Sequence, residues 1–310
     1  MDDSPDSPWL SPILVDSTGR DGSTLMMRLL ASSPGIAVPG PYPYERRYFA
    51  YLWRWARMLE RTDRSDFWTA GDLGSMKWDA GKPLIGPPPW ASELLRGEGD
   101  SEPPMSRYAF DLTWREFSRR AARRVRAQGD DPGVDVRYYA EKHQDTWLVD
   151  LGQLPPLHVL VLLRDPRDTF VSFHAFDAKR RREGSGTFVG AEPAPGETET
   201  EKVNRFIAHE RERMRWIAGL AGGARFPVFR YEDLVTDLPG QARRLEDLLS
   251  VELDLGVVTA DRALQDRHVS ADSPAASIGR WKRELEPELA ERFNAELGDE
   301  LAALGYEPTA

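Results

Sequence analysis

Apolar residues fall into two alternating patterns along this chain. Four short runs are rich in β-formers: Ile13–Asp16, Val136–Tyr139, His158–Leu163 and Val228–Tyr231. The run HVLVLL at His158–Leu163 is almost wholly apolar, as a central parallel strand covered on both faces should be. Between these runs, apolar residues recur at helical spacing. Leu25, Met26, Leu29 and Leu30 give an apolar face to a helix predicted over Ser23–Ala31, which Pro34 ends. Further helices are predicted over Tyr44–Glu60, Tyr108–Ala127, Glu199–Leu220, Leu238–Leu249 and Pro287–Leu304. Strands alternating with helices predict an α/β fold, a three-layer parallel sheet with helices on both faces. No internal repeat and no strong boundary divides the chain, so residues 1–310 are read as a single domain.

Two stretches break the pattern. Gly81–Pro104 is dense in Gly, Pro and acidic residues and reads as a long loop or insertion. Gly184–Thr198 (GSGTFVGAEPAPGET) has the composition of a flexible loop and is a candidate lid.

Composition narrows the chemistry. The 310 residues include no cysteine, which excludes disulfides, thiolate metal sites and a cysteine nucleophile. The formal net charge of −10 argues against nucleic acid or anionic lipid as a partner. The acidic start MDDSPDSPWL lacks the features of a signal peptide, and no apolar stretch approaches the roughly 18 residues of a membrane span. A soluble cytoplasmic protein is expected. An anionic ligand in such a protein needs a local basic pocket.

The run Pro12–Leu30, PILVDSTGRDGSTLMMRLL, supplies one. It reads as a strand, a tight turn rich in Gly, Ser and Thr, and the start of a helix. Unpaired N–H groups and the helix dipole make that helix start a site for phosphate or a phosphate-like anion. Arg20 adds a cation, and Ser23 and Thr24 add hydroxyls. A nucleotide-hydrolysing P-loop needs G-x-x-x-x-G-K-[ST]. Here Ser17 stands where its first Gly should be, and Ser23 follows Gly22 where Lys should be. A nucleoside-triphosphate kinase on the same sheet is therefore the weaker reading, though it stays open beside a non-catalytic nucleotide-binding protein.

A second segment, LLRDPRDTFVSFHAF at Leu162–Phe176, leaves another strand. Arg164 lies at the strand exit, Asp165 can cap the next helix, and Pro166 suits its first turn. Ser172 follows two helical turns after Arg164. Together the two segments resemble those of the sulfotransferases that use 3′-phosphoadenosine-5′-phosphosulfate (PAPS). The resemblance implies a P-loop-NTPase-like sulfotransferase fold. It implies that Arg20, Asp21, Gly22, Ser23, Thr24 and Leu25 hold the 5′-phosphosulfate, and that Arg164 and Ser172 hold the 3′-phosphate. FRYEDL at Phe229–Leu234 resembles the family's next strand and turn, which places Tyr231 near the adenine. SIGRWKREL at Ser277–Leu285 resembles the C-terminal segment that closes over the donor, with Ser277 opening it. There Arg280 and Lys282 are candidate 3′-phosphate ligands and Trp281 is a packing or closing residue. The implied cofactors are PAPS as donor and adenosine 3′,5′-bisphosphate (PAP) as product, with no metal required. Asp21 departs from the small residue usual in that loop, and is expected to cap the helix or pair with an Arg.

Sulfonate transfer needs a base for the acceptor's proton, worth roughly 10²–10⁴ in rate. The resemblance offers Glu45, soon after the first helix, and His143, just past a predicted strand. Lys142 is a candidate contact to the sulfonate, and Arg20 to the leaving oxygen. The stretch from about 50 to 135 is not covered by the resemblance, and about 45 to 135 is read as a variable acceptor-binding insertion. The aromatics of 42–60 and 68–117 (Tyr42, Tyr44, Tyr48, Phe49, Trp53 and Trp114 among them) and the lack of a concentrated basic patch there point to a small hydroxyl acceptor, apolar or aromatic. Nothing in the sequence sets the oligomeric state.

Overall fold

The computed structural model describes residues 9–40, 42–57, 105–129, 131–144, 157–182, 198–220, 226–260, 271 and 273–307. Five strands form one sheet: β1 (Ser11–Asp16), β2 (Ile36–Ala37), β3 (Tyr138–His143), β4 (His158–Leu163) and β5 (Val228–Arg230), in the order β2-β3-β1-β4-β5. Every pairing is parallel. The order reverses around β1, which lies between β3 and β4. In open α/β sheets ligands bind beyond the C-terminal ends of the strands at such a switch point.

Strand alternation sends successive residues to opposite faces. Ile13, Val15, Ala140, Leu160 and Leu162 face one side. They pack under α1 (Ser23–Ala31) and α7 (Leu238–Leu249), which contributes Ala242, Leu245 and Leu249. On the other side, Leu14 and Tyr139 meet α2 (Tyr48–Arg57) and α3 (Met105–Gln128), through Phe49, Phe110 and Trp114. Val159, Val161 and Leu163 meet α5 (Glu199–Gly219) and α10 (Pro287–Ala303), through Ile207, Met214, Phe293 and Leu297. The predicted three layers are present, with α4 (Pro166–Arg182) following β4. The short helices α6 (Tyr231–Thr236), α8 (Leu255–Ala260) and α9 (Trp281–Glu284) complete the described elements, together with a 3₁₀ turn at Ala275–Ser277.

Most elements match their sequence patterns within a few residues, but two do not. The third strand begins at Tyr138 and runs to His143, not over Val136–Tyr139. Its polar end, Glu141-Lys142-His143, hides a strand from any search for apolar runs. β2 has two residues and no usable pattern. The aromatics of α2 and α3 divide: Phe49, Phe110 and Trp114 interlock in the core by edge-to-face and stacked contacts, while Tyr48, Tyr51, Trp55 and Tyr108 are exposed. The helix predicted over Tyr44–Glu60 starts at Tyr48 and is described to Arg57. Most of the predicted insertion, and the loop 184–197, lie outside the described residues. Among the described residues no helix is long and apolar enough to cross a membrane.

Candidate donor and acceptor site

The site grows from the C-terminal ends of β1, β3 and β4. After Asp16 the chain turns sharply: Gly19, Arg20 and Gly22 all take positive φ (92°, 59° and 95°). Gly22 is the N-cap of α1 and supplies no side-chain cap. The first N–H groups of α1 therefore lack intrahelical acceptors and remain for an incoming anion. A Cβ on Gly22 would lie 2.7 Å from Cδ2 of Tyr231, so both the φ angle and the close ring demand glycine.

Asp21 holds this turn from inside. Its carboxylate accepts from Ser17 Oγ (2.6 Å) and Thr18 N (3.0 Å), and it is fully buried. It is not the helix cap. Burial pushes its carboxyl above the usual range, opposed first by the charge of Arg213. Arg213, from α5, is itself buried and donates through Nη2 to Leu162 O (2.5 Å) and Asp16 Oδ2 (3.3 Å). One guanidinium thus pins the ends of β1 and β4 and neutralises the acids behind the loop. The Asp21 carboxylate is engaged within the turn itself.

Arg164, two residues ahead of α4's first turn, joins three segments. Its Nη1 donates to Arg20 O (2.6 Å) and its Nη2 to Ser277 O (2.7 Å). Its guanidinium carbon lies 4.3 Å from the ring centroid of Tyr231. Its Nε is buried with no partner among the described residues, a donor left for a ligand. Arg20 reaches the same end: its Nε donates to Ser172 Oγ (3.1 Å), and it stacks on Phe176 at 4.4 Å. Burial, then the charge of Arg164, lowers its pKa to about 10. Two crowded cations at one spot favour an anion between or beside them. Tyr231 Oη is 2.8 Å from Ser277 Oγ, which closes the wall.

Arg20, Gly22, Ser23, Thr24, Leu25, Arg164, Ser172, Tyr231 and Ser277 line one cleft of about 300 Å³. Arg28, Tyr42, Leu234, Val235, Leu238 and Val258 extend it along α1. Residues from two strand exits, 144 positions apart at Arg20 and Arg164, share this cleft.

The C-terminal candidates divide. Ser277 lines the cleft. Arg280 is buried and paired in two contacts with Glu284, 2.8 and 2.7 Å. Trp281 is buried under Arg167, whose guanidinium carbon is 3.8 Å from the ring centroid, so it packs and does not face the cleft. Lys282 lies over Trp281 and 4.0 Å from Glu307 Oε2, away from the cleft. This segment is anchored by Asp168, which sequence reading passed over: its carboxylate accepts from Gly279 N (2.6 Å) and Trp281 N (2.9 Å). Its one sequence signal is an acid in the first turn of a capped helix. As expected, Asp165 caps α4, accepting from Arg167 N at 2.9 Å.

Beside the loop stands a second cluster. Lys142 Nζ donates to Thr24 Oγ1 (3.0 Å) and to Glu45 Oε1 (2.5 Å). Lys142 is buried and Glu45 half exposed. Burial lowers the Lys142 pKa, and Glu45 opposes that. Lys142 faces α1, opposite Val15 in the register. His143, next along the strand, faces the other side of the sheet with Glu141. Glu141 is fully buried and accepts from Phe49 N (2.9 Å), Ala50 N (3.0 Å) and Tyr139 Oη (3.0 Å). It seats the first turn of α2, the element that follows Glu45. Among the described residues no group of three or more His, Asp or Glu could hold a metal ion.

No family model matches the chain, and no curated protein matches it by sequence. Solved structures do. The sulfotransferase domain of the olefin synthase of Synechococcus PCC 7002 superposes with a TM-score of 0.50 at 17% identity, over 98% of this chain and 98% of that one. The fold is a sulfotransferase fold. A sulfotransferase from Mycobacterium avium matches at TM-score 0.44 and 15% identity, over 97% of this chain and 79% of that chain. A retinol dehydratase solved with androsterone and PAP matches at 0.39 and 15%, over 94% and 80%. Within the sulfotransferase fold, the loop after β1 and the exit of β4 form the one cleft described above.

Proposed function

We propose that the chain is a PAPS-dependent sulfotransferase acting on the hydroxyl of a small, apolar or aromatic acceptor. The observation that carries this reading is the meeting of Arg20 and Arg164 in one cleft that also holds Ser172, Ser277 and Tyr231. A doubly phosphorylated nucleotide has two anionic ends. The cleft offers two basic places: the start of α1 beside Lys142, and the Arg20–Arg164–Ser172 corner. The unpartnered Nε of Arg164 fits such a group.

When bound, the donor supplies a sulfonate whose bond to the phosphate oxygen breaks as the acceptor oxygen bonds to sulfur. The chain's own residues position, hold charge and move one proton. The N–H groups at the start of α1, with Ser23 and Thr24, hold the 5′ end. Lys142, fixed by Thr24 and Glu45, places an ammonium beside them, and Arg20 adds positive charge for the leaving oxygen. Such preorganised donors are each worth about 10²–10³ in rate. Glu45 takes the acceptor's proton on its carboxylate. The geometry favours Glu45 over His143, because Glu45 meets Lys142 at 2.5 Å while His143 belongs to the opposite sheet face. Arg164 and Ser172 hold the 3′-phosphate. Tyr42, on the same cleft as Thr24, begins the acceptor wall.

Titration calorimetry with PAP against ATP and Mg²⁺ tests the donor. Saturable PAP binding with none for ATP is expected; the reverse preference would select the kinase reading. Mass spectrometry of acceptor mixtures given PAPS should show a gain of one sulfonate. PAP binding with no such gain across phenols and alcohols would leave a binding protein.

A further inference from the structure

Arg28 has no place in the mechanism above, yet it is one of the more unusual side chains in the molecule. It lies in the last turn of α1 and is 8% exposed. Among the described residues its guanidinium takes no hydrogen bond and no ion pair. Its charge is felt by the Tyr44 hydroxyl, but no hydrogen bond joins the two. It lines the cleft. A guanidinium has five donors and no acceptor, and those of Arg28 open onto the cleft, so a ligand that displaces water from them loses affinity unless it offers an acceptor in return. Whatever fills this end of the cleft must bring an acceptor.

The surroundings select the kind of acceptor. Arg28 follows Thr24 by one helical turn, about 6 Å along the axis. It therefore lies one turn deeper along α1 than the proposed 5′ anion site, on the same cleft as Tyr231. The same cleft is lined by Leu25, Leu234, Val235, Leu238 and Val258. Apolar walls of this kind suit a flat neutral ring. The cleft is continuous, and about 300 Å³ is at the small end for a ligand pocket, room for one nucleotide.

We propose that Arg28 reads the base of the donor: its guanidinium donates to an acceptor atom on the edge of the heteroaromatic ring held between these apolar side chains. The inference rests on the donor reading above and adds a residue that sets base affinity. Within a pocket of this kind, one charged donor meeting one ring acceptor separates bases with an acceptor edge from those without.

The test uses the full chain and two probes, PAP and the base-free 1-O-methylribose 3,5-bisphosphate, both followed by titration calorimetry. Arg28→Leu should weaken PAP on the order of 10–100-fold, the range for a hydrogen bond to a charged group, and leave the base-free probe within about twofold. Arg28→Gln keeps an amide donor and should lose less for PAP, again with the base-free probe unchanged. Equal loss of both probes would overturn the assignment, since Arg28 would then serve phosphate or the fold. Unchanged PAP affinity would overturn it too. Should Arg28→Leu fail to fold, the selective or unselective loss in Arg28→Gln decides. Wild-type protein that binds neither probe sinks the donor reading, and this inference with it. Wild-type binding of both probes with equal affinity removes the base contact alone.

Discussion

Glu141 offers a sharp test of how the sheet holds the acceptor side. Its carboxyl is fully buried, and its pKa rises from the ordinary 4.5 to about 7. Burial is the main cause, offset by the N–H groups of Ala50 and Phe49 and by Tyr139. Between about pH 4.5 and 7 the folded protein therefore binds a proton that the unfolded chain has released. Raising pH through that window costs stability. A rise of this size corresponds to about 3 kcal/mol, complete above pH 7 and absent below 4.5. Glu141→Gln removes the titration and keeps most of the shape. Near pH 4.5 the variant should match the wild type within about 1 kcal/mol, since both then carry a neutral group. By pH 8 the difference in unfolding free energy should have moved about 3 kcal/mol in favour of the variant. Urea unfolding of both proteins at several values from pH 4.5 to 8 measures this directly. Comparing the two cancels the other acids whose pKa is raised by burial, Asp21, Asp168 and Glu232. A difference that stays flat with pH, or drifts towards the wild type, would show that Glu141 carries no buried charge.

Three further outcomes are expected. Arg164→Ala should weaken PAP on the order of 10–100-fold and raise the donor KM more than it lowers kcat, because it removes a charged donor and two wall contacts; steady-state kinetics and calorimetry read both. Glu45→Gln should lower kcat by about 10²–10⁴ while PAP affinity stays within a few-fold, and near-wild-type turnover would remove the base assignment. Gly22→Ala should lower unfolding free energy by about 1–3 kcal/mol, from a positive φ and a Cβ set against the Tyr231 ring; an unchanged urea midpoint would contradict that geometry.

The parts of the fold carried by period and apolarity could be read directly. HVLVLL sits on β4 residue for residue, and α1 and α7 begin and end where their apolar faces and flanking residues predict. Part of the cleft's lining was legible because turn chemistry is local: Gly22, Ser23 and Thr24 before an apolar helix, and Arg-Asp-Pro after a strand, while Arg28, Leu234, Val235 and Val258 gave no such signal. What escaped was long-range. Arg213 lies among charges in HERERMRW, a pattern that reads as a solvated helix face, yet it meets Asp16 from 197 positions away. Glu141 and Lys142 looked like loop residues because their strand ends in the site. There polar groups replace the apolar alternation that marks a strand. Trp281 takes the packing role its motif allowed, but Lys282 lies over Trp281 and is not among the residues lining the cleft. Only packing could show that.

The order of the sheet divides labour between its two flanks. On one flank, beyond β4 and β5, lie the groups assigned to the nucleotide: Arg164, Ser172 and Tyr231. On the other, beyond β3 and β2, lie Lys142, Glu45 and the helix seated by Glu141. β1 and its glycine turn are the hinge pin common to both. On the proposed reading, exchange of the helix seated by Glu141, with Lys142 and Glu45 kept in place, would redirect the protein to new acceptors while its hold on the donor stayed intact.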